Sequence, residues 1–489
     1  GALLSKPYAF SARPWELVKT ESIDVLDAVG SAIRVDSRGR EVMRVLPRLN
    51  DEINEEWIAD KTRFACDGLK RQRLDRPYVR VDGKLQPASW PEAFDAIASR
   101  LHGVAGNRIA AIAGDLADLE SMLALKELAT GLGSANLECR QDGAAIDATT
   151  RAGYIFNTTI QGIERADLCL LIGTNPRWEA PLINARLRKR FVTGGLRVAA
   201  VGGTPDLTFP VEALGGGPDT LREIAEGRHP FAERLKAAKN PMLILGQGAI
   251  ARTDGAAVLA LARQIADSCG LIREGWNGFN LLHRAAARVG GLDLGFLPGA
   301  GGRDLKAILE AAEQGAIDVV YLLGADEFPV SRLGKAFAIY QGHHGDAGAH
   351  RADVILPGAA YTEKNGTYVN TEGRVQQAKR AIFPPGEARE DWAILRALSE
   401  RLGKPLPYDS LEQLRKRLFE LKPHFAILDD LQPAAWGAFG KAGAIDAAPF
   451  RLPIENYYMT DPISRASETM AACSAAFVAT DARKTGTHG

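Results

Sequence analysis

The densest group of reactive side chains lies at residues 363–374, EKNGTYVNTEGR. Here Glu363, Lys364, Thr367 and Asn370 set a carboxylate, an ammonium, a hydroxyl and an amide around Gly366. A glycine at that point admits another backbone or a ligand closely, and the polar set can donate, accept and balance charge. A second candidate is GTNPRWEAP at residues 173–181. Gly173 frees the backbone, Asn175 offers an amide, and Arg177 presents a guanidinium fork suited to a phosphate. Asn175 and Pro176 also make an ordinary tight turn ahead of a helix at INARLRKRF, so both uses stay open.

Metal and nucleophile chemistry finds less support. Cys66, Cys139, Cys169, Cys269 and Cys473 are scattered with no CxxC pair, whereas iron-sulfur and structural zinc sites call for thiolates at short, repeated spacings. Five unpaired thiols suit a reducing compartment. His343, His344 and His350 in QGHHGDAGAH meet no fixed ligand spacing, and a flexible, partly exposed glycine-rich loop is expected there. Asp326 with Glu327, and Asp429 with Asp430, lack a companion base or nucleophile. No GxSxG, GxGxxG or GxxxxGK[ST] occurs, which argues against a serine hydrolase elbow, NAD binding and nucleotide hydrolysis.

Short apolar runs at 109–113, 168–172, 198–201, 242–245 and 319–323 each stop at a glycine, with helical stretches such as 119–128 and 256–266 between them. Buried strands alternating with helices give parallel pairing with right-handed crossovers, and ligands of such sheets lie at the strands' carboxyl ends. Ser89 and Pro91 mark a helix start in SWPEAFDAIASRL. Ahead of it, 33–35 and 42–46 flank a turn at 36–40 in a small β-rich module. LKRQR at 69–73 reads as a solvated basic surface or a partner patch. From 432 onward Ala, Gly and Pro dominate, and Trp436, Phe439, Phe450, Tyr457 and Tyr458 are spaced as anchors of an extended tail that lies on its own body or on a neighbour. Residues 480–489 are expected to be disordered.

The 489 residues carry 60 basic and 60 acidic side chains and are 46% hydrophobic, which suits several buried cores and excludes a global field for nucleic acid or an anionic membrane. No apolar run approaches the roughly 18–20 residues that cross a bilayer.

The run 352–392, ADVILPGAAYTEKNGTYVNTEGRVQQAKRAIFPPGEAREDW, resembles the signature of the molybdopterin oxidoreductase superfamily, in which such a loop lines the groove for a pterin dinucleotide. NYYMTDPISRASETMAAC at 456–473, KTESIDVLDAVGSAIRV from Lys19 and EEWIADKTRFACDGLKRQR ending at Arg73 resemble the large iron-sulfur subunit family of respiratory complex I, in its alphaproteobacterial and mitochondrial branch. The resemblance implies an α/β fold of molybdopterin-oxidoreductase-like parallel sheets with flanking helices, preceded by the β-rich module and followed by the tail. It divides the chain into a linker (1–19), a degenerate 4Fe-4S module of the Mo/W bis-MGD type (20–75), the α/β body (76–405), and a helical segment with a subunit-contact tail (406–489).

GALLSKPYAFSARPWE at the start resembles the point just after the cluster-bearing front of that family, so a fragment is expected, with the 2Fe-2S and 4Fe-4S clusters in the missing N-terminal part. This chain is then expected to hold no cofactor of its own: no ligand thiols stand in IDVLDAVG or IADKTRF, no metal site is expected, molybdopterin is expected to be absent, and Cys139 precedes the usual position of a metal ligand. Gly173, Asn175, Arg177, Glu363, Lys364, Gly366, Thr367 and Asn370 become the candidates for a vestigial pterin groove.

The function implied is a non-catalytic scaffold in a proton-pumping NADH:quinone oxidoreductase, peripheral at the cytoplasmic face of a bacterial inner membrane or the matrix side of a mitochondrial one. Its partners would be other peripheral-arm subunits, including the NADH/FMN-binding one, with no nucleic acid and membrane contact only through the complex. Two alternatives stand beside it: a working pterin-dependent oxidoreductase, and a module that uses the groove to bind a regulatory nucleotide.

Overall fold

The apolar runs that stop at glycine become the central strands of two separate parallel sheets in the computed structural model, which describes residue 5 and residues 8–478. Leu168–Ile172 lies at the centre of a five-stranded sheet, with Arg197–Val201 and Glu212–Gly215 on one side and Pro241–Leu245 and Phe279–Leu281 on the other. Ile109–Ala113 and Val319–Leu323 pair in a seven-stranded sheet, which continues through Phe337–Gly342 and Val354–Pro357 on one side and Asn136–Glu138 on the other. An antiparallel hairpin, Tyr78–Val81 with Lys84–Pro87, completes its edge. All five residues of Leu168–Ile172, Pro241–Leu245, Ile109–Ala113 and Val319–Leu323 are buried, as strands covered by helices on both faces must be.

The strand order reverses between Leu168–Ile172 and Pro241–Leu245, and again between Ile109–Ala113 and Val319–Leu323. Such switch points open a crevice at the carboxyl ends. Glycines line both. A Cβ on Gly114 would collide with the Gly324 carbonyl, and one on Gly246 would lie 2.7 Å from the Gly173 oxygen. At Gly114 two backbones therefore meet with no side chain between them, while Gly246 also closes on the Thr174 side chain, which an added Cβ would strike.

Ser89 caps Trp90–Leu101 as expected: its hydroxyl accepts from Glu92 N, and the Glu92 carboxylate accepts from Ser89 N at 2.7 Å. The expected N-terminal hairpin is the antiparallel pair Ala32–Arg38 and Glu41–Pro47, joined to Val18–Ile23 in a three-stranded meander. Gly39, with φ +62°, makes its turn.

The chain beyond Asp429 runs extended until Tyr457–Met459, Pro462–Ala466 and Glu468–Phe477, and its anchors lie on its own body. Phe439 is 1% exposed, 5.0 Å from the Phe279 ring and 5.1 Å from Trp436. The Trp436 indole donates to Asp267 at 2.8 Å. Farther on, Phe450 N donates to Gly216 O at 3.0 Å, and Arg252 holds the Ala448 and Asp446 carbonyls at 2.6 and 3.0 Å. Arg465 then closes the tail onto a carboxylate cluster, with Asp346 at 2.6 Å and Glu327 at 2.7 Å. Residues 480–489 lie outside the described residues.

Because Phe439 fills the space over Gly153 and against Phe279, Phe439→Ala is expected to destabilise the protein by about 3–5 kcal/mol and to open residues 430–455 to protease. Calorimetry with limited proteolysis checks it, and an unchanged melting temperature would contradict the anchoring.

Candidate functional site

The loop at 363–374 turns its charged side chains inward. Glu363 accepts from Ala360 N at 2.9 Å and from both terminal nitrogens of Arg73, at 2.5 and 2.6 Å. The Lys364 ammonium lies 2.7 Å from Asp118 and 2.7 Å from Asp391. Thr367 donates from its amide and hydroxyl to the two Glu120 oxygens, each at 2.7 Å, and Arg415 meets Glu120 at 2.8 Å. Asn370 donates to Val29 O at 3.0 Å and accepts from Arg374 N at 2.9 Å. A Cβ on Gly366 would lie 2.9 Å from Asp118 Cβ, so the glycine makes room for protein. The hairpin Gly366–Val369 with Val375–Ala378 carries these groups, and Thr371 N donates to Ala28 O at 2.7 Å, tying it to the N-terminal module.

The electrostatics follow from burial. Desolvation alone would lower the Lys364 pKa, but Asp118 and Asp391 drive it well above the usual lysine value. Burial likewise opposes ionisation of Asp118, yet Lys364 and the Ser121 amide hold its carboxyl below the usual range. Burial raises Glu120, with Asp118 adding to the effect, and Arg415 opposes it. The loop's candidate side chains are thus committed to protein partners, which does not suit a groove that must release them to a dinucleotide.

At the other candidate loop, Gly173 has φ +54°, Asn175 is buried, and Asn175 N and the Thr174 hydroxyl both donate to Glu179 at 2.6 Å. Burial pushes the Glu179 pKa up to about 7. Arg177 binds Asp206 at 2.9 Å. Asn175 and Pro176 do form the turn into Pro176–Glu179 and Pro181–Val192, while the Asn175 side-chain oxygen has no hydrogen-bond partner. The two candidate loops do not share a set of facing side chains: one is tied to the seven-stranded sheet and the N-terminal module, the other to the end of the five-stranded sheet.

A cavity of about 470 Å³ opens at that sheet's switch point, between Gln247, Arg252 and Arg284 below and Asp446, Pro449 and Arg451 of the tail above. A Cβ on Gly248 would strike the Arg451 carbonyl, and one on Gly202 would lie 3.2 Å from Phe450 Cβ, so the glycines seat the tail where a ligand of such a sheet would lie. Beneath it Arg288, 1% exposed at its side chain, faces Asp142 at 3.1 Å. Burial works against the Asp142 charge, but Arg288 and Arg284 bring its pKa down to about 2. Cys139 is buried, and desolvation pushes its thiol up to about 12.

Several expectations need correction. His344 is fully buried with Nε2 2.9 Å from Gly68 O, and His343 Nδ1 lies 2.5 Å from His344 Nδ1; of the loop's three histidines only His350 is exposed. In LKRQR, Lys70 and Arg71 pair at the surface with Glu41 and Glu468, but Arg73 goes inside to Glu363. Nothing local in the sequence shows that Arg73, Asp118, Glu120, Asp391 and Arg415 turn inward to complete the network. Asp118 was legible only as the acid ahead of the helix Leu119–Gly131, which it caps through Ser121 N at 2.8 Å.

Residues 73–401 match the family model of molybdopterin oxidoreductases, residues 17–67 that of the NADH-ubiquinone oxidoreductase NDSU1/NuoG-like 4Fe-4S domain, and residues 430–473 that of the C-terminal region of the NADH-ubiquinone oxidoreductase G subunit. The mitochondrial NADH-ubiquinone oxidoreductase 78 kDa subunit of Neurospora crassa is 51% identical, over 97% of this chain and 65% of its own length. NADH dehydrogenase [ubiquinone] iron-sulfur protein 1 of Solanum tuberosum is 50% identical, over 97% and 64%. The NADH-quinone oxidoreductase G subunit of Rickettsia bellii is 48% identical, over 97% and 68%. The chain thus spans about two thirds of the length of these relatives. Acetylene hydratase from Pelobacter acetylenicus shares the fold, with a TM-score of 0.59 at 12% identity over 79% of this chain and 69% of its own.

The match at 17–67 overturns the expectation that this chain holds no cofactor of its own and that only a missing front part carries clusters: the chain includes a 4Fe-4S domain, and an iron-sulfur cofactor is expected in it. The thiol count speaks for the ligands alone, whereas the match covers the whole domain. The side chains of that segment do not themselves make up a four-thiolate set. Cys66 is its one thiol, raised to about 11 by burial and then by Asp67, and no group of three or more His, Cys, Asp or Glu placed to hold a metal occurs among the described residues.

Removing the cation from between Asp118 and Asp391 leaves two buried carboxylates, so Lys364→Met is expected to cost about 3–5 kcal/mol at neutral pH. In that variant Asp118 loses the lysine that holds its folded pKa down, and Asp391, which burial raises even beside Lys364, rises further, so the penalty is small below the unfolded values and grows as pH rises. Urea titrations of variant and parent at pH 5 and 7.5 check it. A penalty equal at both pH values would contradict the buried ionic triad.

Proposed function

Because the chain belongs to the family of the NADH-quinone oxidoreductase G subunit, with its molybdopterin oxidoreductase-like body, we propose that it is a peripheral-arm subunit of a proton-pumping NADH:quinone oxidoreductase in which this body acts as a structural scaffold. The observation that carries the scaffold role is the inward commitment of the 363–374 loop, whose Glu363, Lys364, Thr367 and Asn370 all bind other parts of the protein. Gly173, Asn175 and Arg177 at the end of the five-stranded sheet and Gly366 against Asp118 are, on this proposal, separate remnants of a vestigial groove that now support packing. The roof of tail over the five-stranded sheet's crevice supports the same role.

The chain divides, on this proposal, into a linker at 1–19, a 4Fe-4S-type module at 20–75, the α/β body at 76–405 and a tail at 406–489. The family match at 17–67, the extent of the two sheets and the anchors of the tail support those limits. The whole assembly moves electrons from NADH and flavin through iron-sulfur centres to quinone, and the partners of this chain are the other peripheral-arm subunits, the NADH/FMN-binding one among them. The Rickettsia and mitochondrial relatives support the alphaproteobacterial and mitochondrial branch. No described helix is long and apolar enough to cross a membrane; contact with one is through the complex, on the cytoplasmic or matrix side.

Thr367→Val and Arg177→Ala, introduced into the whole complex, test the scaffold role. The expected outcome is less assembled complex with Thr367→Val, little change with Arg177→Ala, and in both an unaltered NADH:quinone rate per assembled complex. Normal assembly with electron transfer abolished would refute the scaffold and favour a working redox site in the groove.

A further inference from the structure

A cavity of about 640 Å³ shares no lining residue with the crevice beneath the tail. It lies between the helix Leu119–Gly131, the turn at 403–407 and the helix Leu411–Leu421. Its inner wall is apolar: Leu123, Leu294 and Leu406 are buried there, and Leu421, 42% exposed, stands at the mouth. That volume lies within the range of small-molecule sites, which are mostly apolar with a few placed polar groups.

The polar groups are almost all cations. Lys126, Lys404, Arg417 and Lys422 line the cavity against one acid, Glu127, which Arg417 already engages at 3.1 Å. Lys126, Lys404 and Lys422 make no ion pair among the described residues, and Lys126 Nζ donates to Leu294 O at 2.7 Å, which holds its ammonium beside the apolar wall. Burial first, and then Lys422, keep the Lys126 pKa below the usual lysine value. Lys126 and Lys422 therefore face one space whose single acid, Glu127, is shared with Arg417, so positive charge is in excess there.

We propose that this cavity binds a free single-chain alkyl carboxylate, its chain against Leu123, Leu294 and Leu406 and its carboxylate between Lys126 and Lys422. Charge complementarity selects the anion, and the apolar wall selects an aliphatic chain over inorganic phosphate. The cations surround a concavity, which a single chain enters and a flat bilayer surface does not, so the occupant is the free carboxylate rather than a membrane lipid. The site is independent of the scaffold role and of the groove loops.

Calorimetric titration of the purified chain with dodecanoate, kept monomeric, tests it against dodecanol, dodecyltrimethylammonium and phosphatidylglycerol vesicles. The expected result is one saturable dodecanoate site, with the neutral and cationic analogues weaker by about tenfold or more. Lys404→Glu with Lys422→Glu, at positions only partly buried or exposed, is expected to weaken dodecanoate by about tenfold at an unchanged melting temperature. Equal binding of dodecanol and dodecanoate, an unaffected double variant, binding to vesicles alone, or no binding at all would each overturn the proposal.

Discussion

A lysine ammonium cannot be buried without anions around it, and Lys364 has two, one on each side. That requirement fixes three elements at once. Asp118 caps the helix Leu119–Gly131, Asp391 begins the helix Asp391–Arg401, and Lys364 precedes the hairpin strand Gly366–Val369. Gln341, in a central strand, carries the contact into the sheet: its amide donates to Asp391 Oδ1 at 3.0 Å and its oxygen accepts from Tyr321 at 2.5 Å. A continuous polar chain therefore runs from the middle of the seven-stranded sheet to the loop. Such networks are strong only when every member is satisfied, which accounts for the loop's turning toward its own protein.

The same economy appears at the five-stranded sheet. Glycines at the carboxyl ends of its strands would ordinarily leave space for a phosphate or a base. Here Gly202 and Gly248 seat Phe450 and the Arg451 carbonyl, while Arg252 grips the tail's backbone and lies 5.4 Å from the Phe450 ring. An extended segment with little internal hydrogen bonding gains its order from these outside contacts. Arg465, set against Asp326, Glu327 and Asp346, fastens its far end, and burial raises the two neighbouring acids, Asp326 to about 7 and Glu327 to about 8.

Where a signal is local, the sequence carried it well. The cap at Ser89, the turn at Gly39 and the buried runs ending at Gly114, Gly173 and Gly324 each depend on residues a few positions apart. The thiol count was equally local and misled, because Cys66 speaks only for the ligands of residues 17–67, while the domain's character resides in its whole pattern of strands, turns and packing. LKRQR shows the same limit. Nothing in one leucine and four polar letters says that Arg73 leaves the surface to meet Glu363, 290 residues away in the chain.

By itself the sequence determined the alternation of strand and helix, the glycines that end the strands, the polar loops and the family resemblance, since periodicity, turn chemistry and motif spacing are properties of neighbours along the chain. Only the tertiary structure decided which strands share a sheet, that the tail roofs one crevice, and that Lys364, Thr367 and Asn370 face protein. Those outcomes rest on charge pairing and close backbone approach between segments far apart in sequence, and the partner of a buried charge is fixed by where the fold brings the opposite charge.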